Sequence, residues 1–254
     1  MELRDKSAIV TGSATGVGRE TALALGRLGC NVIINYTRSR AEAEQTGADV
    51  AALGVKVEVV QADVSVDADC KRLVETATAH FGGLDVLVNN AGTTSFINHA
   101  DLDGVGDEDW TRIMAVNVQG PFQMARAARE ALSAGDGGAI VNVSSIAGLR
   151  AIGSSIPYCA SKAALNNLTV ALARVLSPKV RVNAVAPGFI TGRWLQGGLG
   201  GAYDIAKAAN EKRAPLQRVC DPKDVADAIL SLITGSSMIT GHIVPVEGGL
   251  LIGG

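Results

Sequence analysis

Short apolar runs alternate with helical patterns along this chain, and the alternation constrains the fold more than any other feature. Apolar runs predict strands at 7–10, 31–36, 56–60, 84–88, 139–143, 180–185 and 243–246. Helical patterns predict a first helix that ends near Gly29 and further helices at 41–53, 67–81, 107–132, 156–176 and 222–234. Because the joins are short, successive strands are expected to be parallel, with right-handed crossovers. The pattern therefore predicts an α/β fold with a doubly wound parallel sheet.

Composition limits the class of protein. The chain has 254 residues, of which 47% are hydrophobic and 19% charged, enough for one large domain or two small ones. A net charge of −2 gives no reason to expect nucleic acid or an anionic membrane as a partner. We see no signal peptide and no run of about 20 apolar residues, so we expect a cytoplasmic protein with reduced thiols. We predict no metal site, because the candidate ligands are scattered: Cys30, Cys70, Cys159, Cys220, His80, His99 and His242.

A glycine-rich turn follows the first predicted strand and opens the first helix. Its sequence is Thr11-Gly12-Ser13-Ala14-Thr15-Gly16-Val17-Gly18. Glycines let a backbone turn tightly and approach a phosphate, and the free N–H groups at a helix start attract the negative charge. The turn therefore predicts a dinucleotide-binding loop, and a purely structural loop is the alternative.

The end of the second predicted strand indicates which dinucleotide is bound. NAD sites usually carry an acidic residue there, which bonds the ribose 2′-hydroxyl. The residues at this position are Tyr36-Thr37-Arg38-Ser39-Arg40, without an acid. A 2′-phosphate would meet the Arg38 guanidinium and the hydroxyls of Thr37 and Ser39. We therefore predict NADP(H) in preference to NAD(H); the alternative is that Arg38 and Arg40 are solvated side chains.

Tyr158 and Lys162 are the strongest candidates for chemistry. They are four residues apart in the helix predicted at 156–176, so both side chains leave it on one face. A nearby ammonium favours the phenolate and is expected to lower the tyrosine pKa. Such a tyrosine can exchange protons near neutral pH. The alternative is a packing tyrosine beside a solvated lysine.

Six motifs in order resemble those of the short-chain dehydrogenases/reductases, and the resemblance covers nearly the whole chain. They are Thr11 to Gly18, Asn89-Asn90-Ala91-Gly92, Asn117, Ser145, Tyr158-Cys-Ala-Ser-Lys162 and Pro187-Gly188. The resemblance implies one Rossmann-fold domain of residues 1–254, with a seven-stranded sheet in the order 3-2-1-4-5-6-7. It also implies an oxidoreductase that commonly assembles as a homotetramer.

The resemblance assigns roles to individual residues. It implies that Tyr158 gives a proton, that Ser145 gives a second hydrogen bond, and that Lys162 also bonds the nicotinamide ribose. The family's serine precedes its tyrosine by thirteen residues, which selects Ser145 over Ser144. The residues implied to bind the cofactor are Gly12, Ser13, Thr15, Gly16, Val17, Gly18, Thr37, Arg38, Ser39, Asp63, Val64, Asn90, Ala91, Gly92, Tyr158, Lys162, Pro187, Gly188, Ile190 and Thr191.

Local details of two helices carry further expectations. Asp67 is expected to cap the helix at 67–81, and Gly120-Pro121 to make the helix at 107–132 irregular. Asn117 lies just before that irregularity. The resemblance implies that Asn117 holds a water in a proton relay with Lys162, and the compatible alternative is an amide that satisfies backbone groups there.

A glycine-rich segment at about 192–214 resembles the family's mobile substrate lid. Trp194, Leu195 and Tyr203 in this segment form an apolar wall in one interpretation and pack on the sheet in the other. Ser154 and Ser155 are interpreted as loop formers that can also line the substrate site. Glu247 stands where the family usually has Asp, and we expect no effect on catalysis.

These expectations lead to an NADPH-dependent reductase of a small-molecule ketone, or the reverse alcohol dehydrogenase. Many relatives with this pattern are 3-oxoacyl-carrier-protein reductases, but the segment 134–138 lacks the basic residue that carrier-docking members often have near there. A sugar or polyol, a steroid or a xenobiotic ketone are other candidate substrates. A non-catalytic NADP-binding sensor is the alternative from another class, although a sensor has no need of the proton donor Tyr158.

Overall fold

The computed structural model of the chain describes residues 1–252, and its strands form one sheet. The strands are Ser7–Val10 (β1), Asn31–Tyr36 (β2), Val57–Gln61 (β3), Val86–Asn89 (β4), Gly138–Val143 (β5), Val180–Pro187 (β6) and Ile243–Val246 (β7). Every neighbouring pair is parallel, in the order β3-β2-β1-β4-β5-β6-β7. The predicted fold class and strand order are confirmed.

Helices connect the strands and cover both faces of the sheet. Their bounds are Gly16–Arg27 (α1), Arg40–Ala51 (α2), Asp67–Phe81 (α3), Asp107–Met114 (α4), Gly120–Ser133 (α5), Ala147–Arg150 (α6), Ile156–Leu176 (α7), Arg193–Leu199 (α8), Tyr203–Arg213 (α9) and Pro222–Thr234 (α10). Helices α1, α2 and α10 share one apolar core with the sheet, and α3, α5 and α7 share the other. Within residues 1–252, we find no helix that is long and apolar enough to cross a membrane.

The strands are apolar on both sides because both faces are covered. In β1, Ala8 and Val10 belong to the α1 core, whereas Ile9 between them belongs to the α3 core. Successive side chains of a strand point to opposite faces, so a strand buried on both faces needs a continuous apolar run. This is why the apolar runs identified the strands, although some ends shift: β3 is Val57–Gln61 rather than 56–60.

The long helix predicted at 107–132 is interrupted, as expected. The structure has α4, then a π-helical turn at Ala115–Gln119, then α5 from Gly120. Pro121 has no N–H to give the Asn117 carbonyl four residues earlier, so a regular helix cannot continue through this point.

The predicted capping role of Asp67 is wrong. Val66 is the N-cap residue of α3, without a side-chain capping bond, and Asp67 is the first helical residue. The Asp67 carboxylate instead lies 2.7 Å from Lys71 and 2.7 Å from Arg126 on α5. Asp67 therefore ties α3 to α5, while its charge still favours the start of the helix.

Candidate active site

The glycines of the first turn differ in their surroundings. Gly12 has a φ of +62°, and a Cβ there would lie 3.0 Å from the Ala91 Cα. A Cβ at Gly18 would lie 2.5 Å from the Gly12 carbonyl oxygen. Gly16 has a φ of +58°, and a Cβ there would meet nothing within 4 Å. Gly12 and Gly18 therefore allow close packing, whereas Gly16 opens onto the crevice at the strand ends.

The start of α1 fits the phosphates of a dinucleotide. Thr15 is the N-cap residue, and its side chain makes no capping bond. Within the described residues, the N–H groups of Gly16, Val17 and Gly18 have no backbone acceptor. Free N–H groups at a helix start attract an anion, and the open side of Gly16 leaves room for one.

Asn35, at the end of β2, holds the glycine turn in place, a role that was not predicted from the sequence. Its Oδ1 accepts from Gly12 N at 3.0 Å, and its Nδ2 donates to the Ala62 carbonyl at 3.0 Å. Its backbone N–H donates to Ser13 Oγ at 2.9 Å, and Ser13 Oγ donates to the Val10 carbonyl at 2.7 Å. A polar residue within an apolar run was the available signal, because a buried amide must find partners.

The motif at 89–92 braces the same turn from the β4 side. Asn90 Nδ2 donates to the carbonyls of Thr11 and Gly12 at 2.9 and 3.0 Å. The N–H groups of Asn90 and Ala91 both donate to Thr11 Oγ1 at 3.0 Å. A Cβ at Gly92 would lie 3.5 Å from Asn117 Oδ1 and 3.7 Å from Lys162 Nζ. The motif thus connects the glycine turn to the predicted catalytic residues.

The residues predicted to meet the adenosine lie at the ends of β2 and β3. Thr37 and Arg38 are exposed, and among residues 1–252 Arg38 makes no ion pair. Its neighbour Arg40 is paired with Glu44 at 2.7 Å. Asp63 accepts hydrogen bonds from Ser65, and Val64 is buried at 5% exposure.

Tyr158 and Lys162 leave one face of α7, as the spacing predicted, and both are buried. Lys162 Nζ lies 5.7 Å from the centroid of the Tyr158 ring and donates to the Val143 carbonyl at 2.8 Å. Ser155 caps α7, accepting from Tyr158 N at 3.4 Å. The end of β5 and the cap of α7 therefore fix both side chains.

Burial dominates the electrostatics of this pair. It raises the pKa of Tyr158 to about 12, against an opposing hydrogen bond from Ser145. It also lowers the pKa of Lys162 to about 8. The shift is opposite to the lowered Tyr158 pKa expected from the sequence, because the loss of hydration outweighs the hydrogen bond from Ser145.

Ser145 and Asn117 complete the predicted set. Ser145 Oγ donates to the Pro187 carbonyl at 3.4 Å and accepts from Ala147 N at 3.1 Å. The Asn117 amide exchanges hydrogen bonds with the Thr93 backbone at 2.8 and 2.9 Å and donates to Ser161 Oγ at 3.0 Å. The Asn117 amide does satisfy backbone groups, but they belong to the loop after β4 and not, as the alternative interpretation expected, to the irregular turn.

Ser144 is structural, as expected. Its hydroxyl donates to Asn166 Oδ1 at 2.6 Å and lies 3.3 Å from the Lys162 carbonyl. Both acceptors belong to α7, so Ser144 holds that helix against the end of β5.

A recess of about 500 Å³ with apolar and polar walls lies near Tyr158. A Cβ at Gly153, on its wall, would lie 3.3 Å from Tyr158 Cδ1. Ser154, on the same wall, lies 2.6 Å from Thr94 through their hydroxyls. The residues around the recess are Phe96, Ile97, Asn98, His99, Ala151, Ile152, Gly153, Ser154, Gly198 and Leu199.

The segment predicted as a lid contains α8 and α9, and its aromatic residues divide between the two interpretations. The Trp194 ring meets the Tyr158 ring edge-on at 6.2 Å and is 50% exposed. The Tyr203 ring is buried against Phe189 at 5.7 Å. Trp194 therefore belongs to the wall of the crevice, and Tyr203 to the packing beneath it.

The residues between β6 and this segment are held in place by Cys220, which follows the segment. Ile190 pairs with Cys220, and Thr191 N donates to the Cys220 carbonyl at 2.8 Å. A Cβ at Gly188 would lie 2.8 Å from the Glu247 Cβ, which shows how closely these segments pack. The predicted residues 187–191 thus lie on a fixed backbone beside Ser145.

Comparison with known proteins places the chain in a family. A family model described as enoyl-(acyl carrier protein) reductase matches residues 12–251. The chain belongs to the short-chain dehydrogenase/reductase family. It is therefore an NAD(P)-dependent oxidoreductase, and the glycine turn described above fits that cofactor.

Relatives within the short-chain dehydrogenases/reductases include ketoacyl reductases. A Streptomyces violaceoruber protein assigned as ketoacyl reductase 2 of the granaticin polyketide synthase is 44% identical over 244 residues, which cover 95% of this chain and 94% of that one. The 3-oxoacyl-acyl-carrier-protein reductase of Staphylococcus epidermidis is 33% identical, with 97% and 99% of the two chains covered.

Solved structures of the same family superpose closely. One from Burkholderia xenovorans, assigned as a short-chain dehydrogenase/reductase, has a TM-score of 0.90 at 38% identity and 98% coverage of both chains. A xylitol dehydrogenase bound to NAD⁺ has a TM-score of 0.89 at 26% identity, with 98% of this chain and 100% of that one covered.

Proposed function

We propose that this protein reduces an apolar ketone to a secondary alcohol with NADPH, and that Tyr158 supplies the proton. The observation that carries the proposal is the buried Tyr158 ring with Lys162 5.7 Å from it, next to a recess of about 500 Å³ whose wall at Gly153 packs on the ring. A protonated phenol beside space for a substrate can donate to a carbonyl oxygen that gains negative charge.

The residues divide the work of the reduction. The nicotinamide, when bound, supplies the hydride that adds to the carbonyl carbon. Tyr158 donates its proton to the oxygen, and a pKa of about 12 keeps that proton in place at neutral pH. Ser145 stabilises the developing oxyanion with a second hydrogen bond. Lys162 holds positive charge beside the phenolate left behind, and Asn117 fixes the loop at Thr93 next to Lys162.

The apolar side chains at the recess support a substrate with a bulky or extended hydrocarbon part. Phe96 and Ile152 at the recess are 37% and 65% exposed, and Trp194, which meets the Tyr158 ring, is 50% exposed. Burial of such surface by a ligand is favourable. The names of the relatives suggest a 3-oxoacyl thioester as the first candidate, which agrees with an extended substrate whose ketone lies at Tyr158.

The preference for NADPH rests on the tip of β2. Arg38 is exposed and makes no ion pair with the described residues, so it is available to a 2′-phosphate. We expect Arg38→Ala to weaken NADPH binding about tenfold and to leave NADH binding unchanged, since only NADPH carries the phosphate. Equal losses for the two cofactors, measured by isothermal titration calorimetry, would exclude a phosphate contact.

A substrate panel tests the reaction itself. Acetoacetyl-coenzyme A, an aromatic ketone, a cyclic aliphatic ketone and a ketose would each be followed by the loss of NADPH absorbance. We expect the apolar ketones or the thioester to turn over faster than the ketose, because the exposed side chains of Phe96 and Ile152 offer its hydroxyl groups no hydrogen-bond partner. Tight NADPH binding without turnover of any compound would favour the sensor and would reject the reductase.

A further inference from the structure

Arg193 joins the start of α8 to the dinucleotide half of the molecule. Its Nη1 lies 2.9 Å from Glu42 Oε1 on α2, and its Nη2 donates to Thr15 Oγ1 at 3.3 Å. Thr15 is the N-cap of α1 and precedes Gly16, the glycine that opens onto the crevice. The guanidinium therefore lies at the rim of the glycine turn, although Arg193 is far from that turn in the sequence.

Two other basic side chains near the turn have another partner or another position. Arg19 on α1 is paired with Glu20 at 2.9 Å and with Asp49 at 2.8 Å. Arg38 stands at the tip of β2, where the 2′-phosphate is expected. Among the residues that the structure describes, Arg193 is thus the basic side chain that touches the glycine turn itself.

Arg193 can exchange Glu42 for a partner with more negative charge. The two side chains are 59% and 43% exposed, and exposed ion pairs contribute little to stability. A diphosphate offers more negative charge than one carboxylate, and its oxygens match the donor geometry of a guanidinium. An anion in the turn would therefore compete well with Glu42 for Arg193.

We propose that Arg193 binds the diphosphate of the dinucleotide, and that Glu42 holds the side chain at the rim until the diphosphate displaces it. The proposal rests on the nicotinamide dinucleotide and not on any particular ketone. Trp194, the next residue, meets the Tyr158 ring edge-on at 6.2 Å. Fixing Arg193 on the diphosphate would therefore also restrain Trp194 beside Tyr158.

Calorimetric titration of the whole protein with NADH and with NADPH tests the proposal without any substrate. We expect Arg193→Gln to weaken both cofactors by the same factor, about tenfold, because both carry the diphosphate. The binding of the variant should also depend less on salt. Glu42→Gln removes only the competitor and should bind both cofactors at least as tightly as the wild type. Arg193→Lys, which keeps the charge, should recover part of the affinity.

The matched control is Lys207→Gln, another basic residue of the segment 192–214, which is paired with Glu211 at 2.6 Å on α9. It should bind as the wild type does. Unchanged binding by Arg193→Gln would overturn the proposal, as would a loss restricted to NADPH, which would place Arg193 at the 2′-phosphate. An equal loss of affinity in Glu42→Gln would also overturn it, because the Arg193–Glu42 pair would then act only by holding α8 near α2.

Discussion

Asn35→Ala is the substitution whose cost can be worked out most directly from the structure. Asn35 is 1% exposed, and its side chain pairs with the Gly12 N–H and the Ala62 carbonyl, both at 3.0 Å. The shorter side chain leaves the Gly12 N–H unpaired, which costs about 1–3 kcal/mol. The Ala62 carbonyl keeps the Thr37 hydroxyl at 3.3 Å, so the second lost bond costs about 0.5–1.5 kcal/mol. We therefore expect the free energy of unfolding to fall by about 3 kcal/mol.

Urea unfolding, followed by circular dichroism, measures this loss. Thermal unfolding gives a second measurement. The melting temperature should fall by about 8 °C, because each kcal/mol usually lowers it by 2–4 °C in a domain of this size. The matched control is Asn31→Ala in the same strand, where Asn31 Oδ1 accepts one exposed bond from Lys56 N at 2.9 Å. It should lose less than about 1 kcal/mol. The reasoning is refuted if the two variants lose equal stability, since the buried brace would then contribute nothing.

Two further predictions concern the buried lysine and the packed glycine. Burial lowers the pKa of Lys162 to about 8, so between pH 8 and 10 the unfolded chain holds a proton that the folded chain has lost, and stability rises with pH. The unfolding free energy of the wild type minus that of Lys162→Met should therefore become more positive over that range. A constant difference would contradict the prediction. Gly18→Ala should destabilise the protein by about 1–3 kcal/mol, because its Cβ would lie 2.5 Å from a backbone oxygen. Gly83→Ala, where a Cβ meets nothing within 4 Å, should be neutral in the same thermal assay, and equal melting temperatures for the two would be inconsistent with close packing at Gly18.

The sequence predicted the fold well because both faces of the sheet are buried. Residues such as Ile9 and Val10 face different cores, so each strand is a continuous apolar run that can be recognised without its neighbours. Helical spacing was likewise enough to place Tyr158 and Lys162 on one face, because it depends only on local geometry.

Other features depended on contacts that local sequence does not reveal. The partners of Asn35 lie in the glycine turn and after β3, and the partner of Arg193 lies on α2. The Tyr158 pKa was predicted in the wrong direction because spacing gives the neighbouring charge and not the loss of hydration. The sequence could not show that Trp194 is exposed and Tyr203 buried, because both are aromatic and their burial depends on how the chain folds around them.

Tyr158→Phe tests the central claim most directly, because it removes one hydroxyl and keeps the ring that packs near Lys162 and Trp194. NADPH affinity is measured by titration, and turnover by absorbance, with a ketone that the wild type accepts. The account predicts unchanged affinity and a fall in kcat of about 10²–10⁴-fold, the usual contribution of a positioned proton donor. A kcat close to that of the wild type would contradict it.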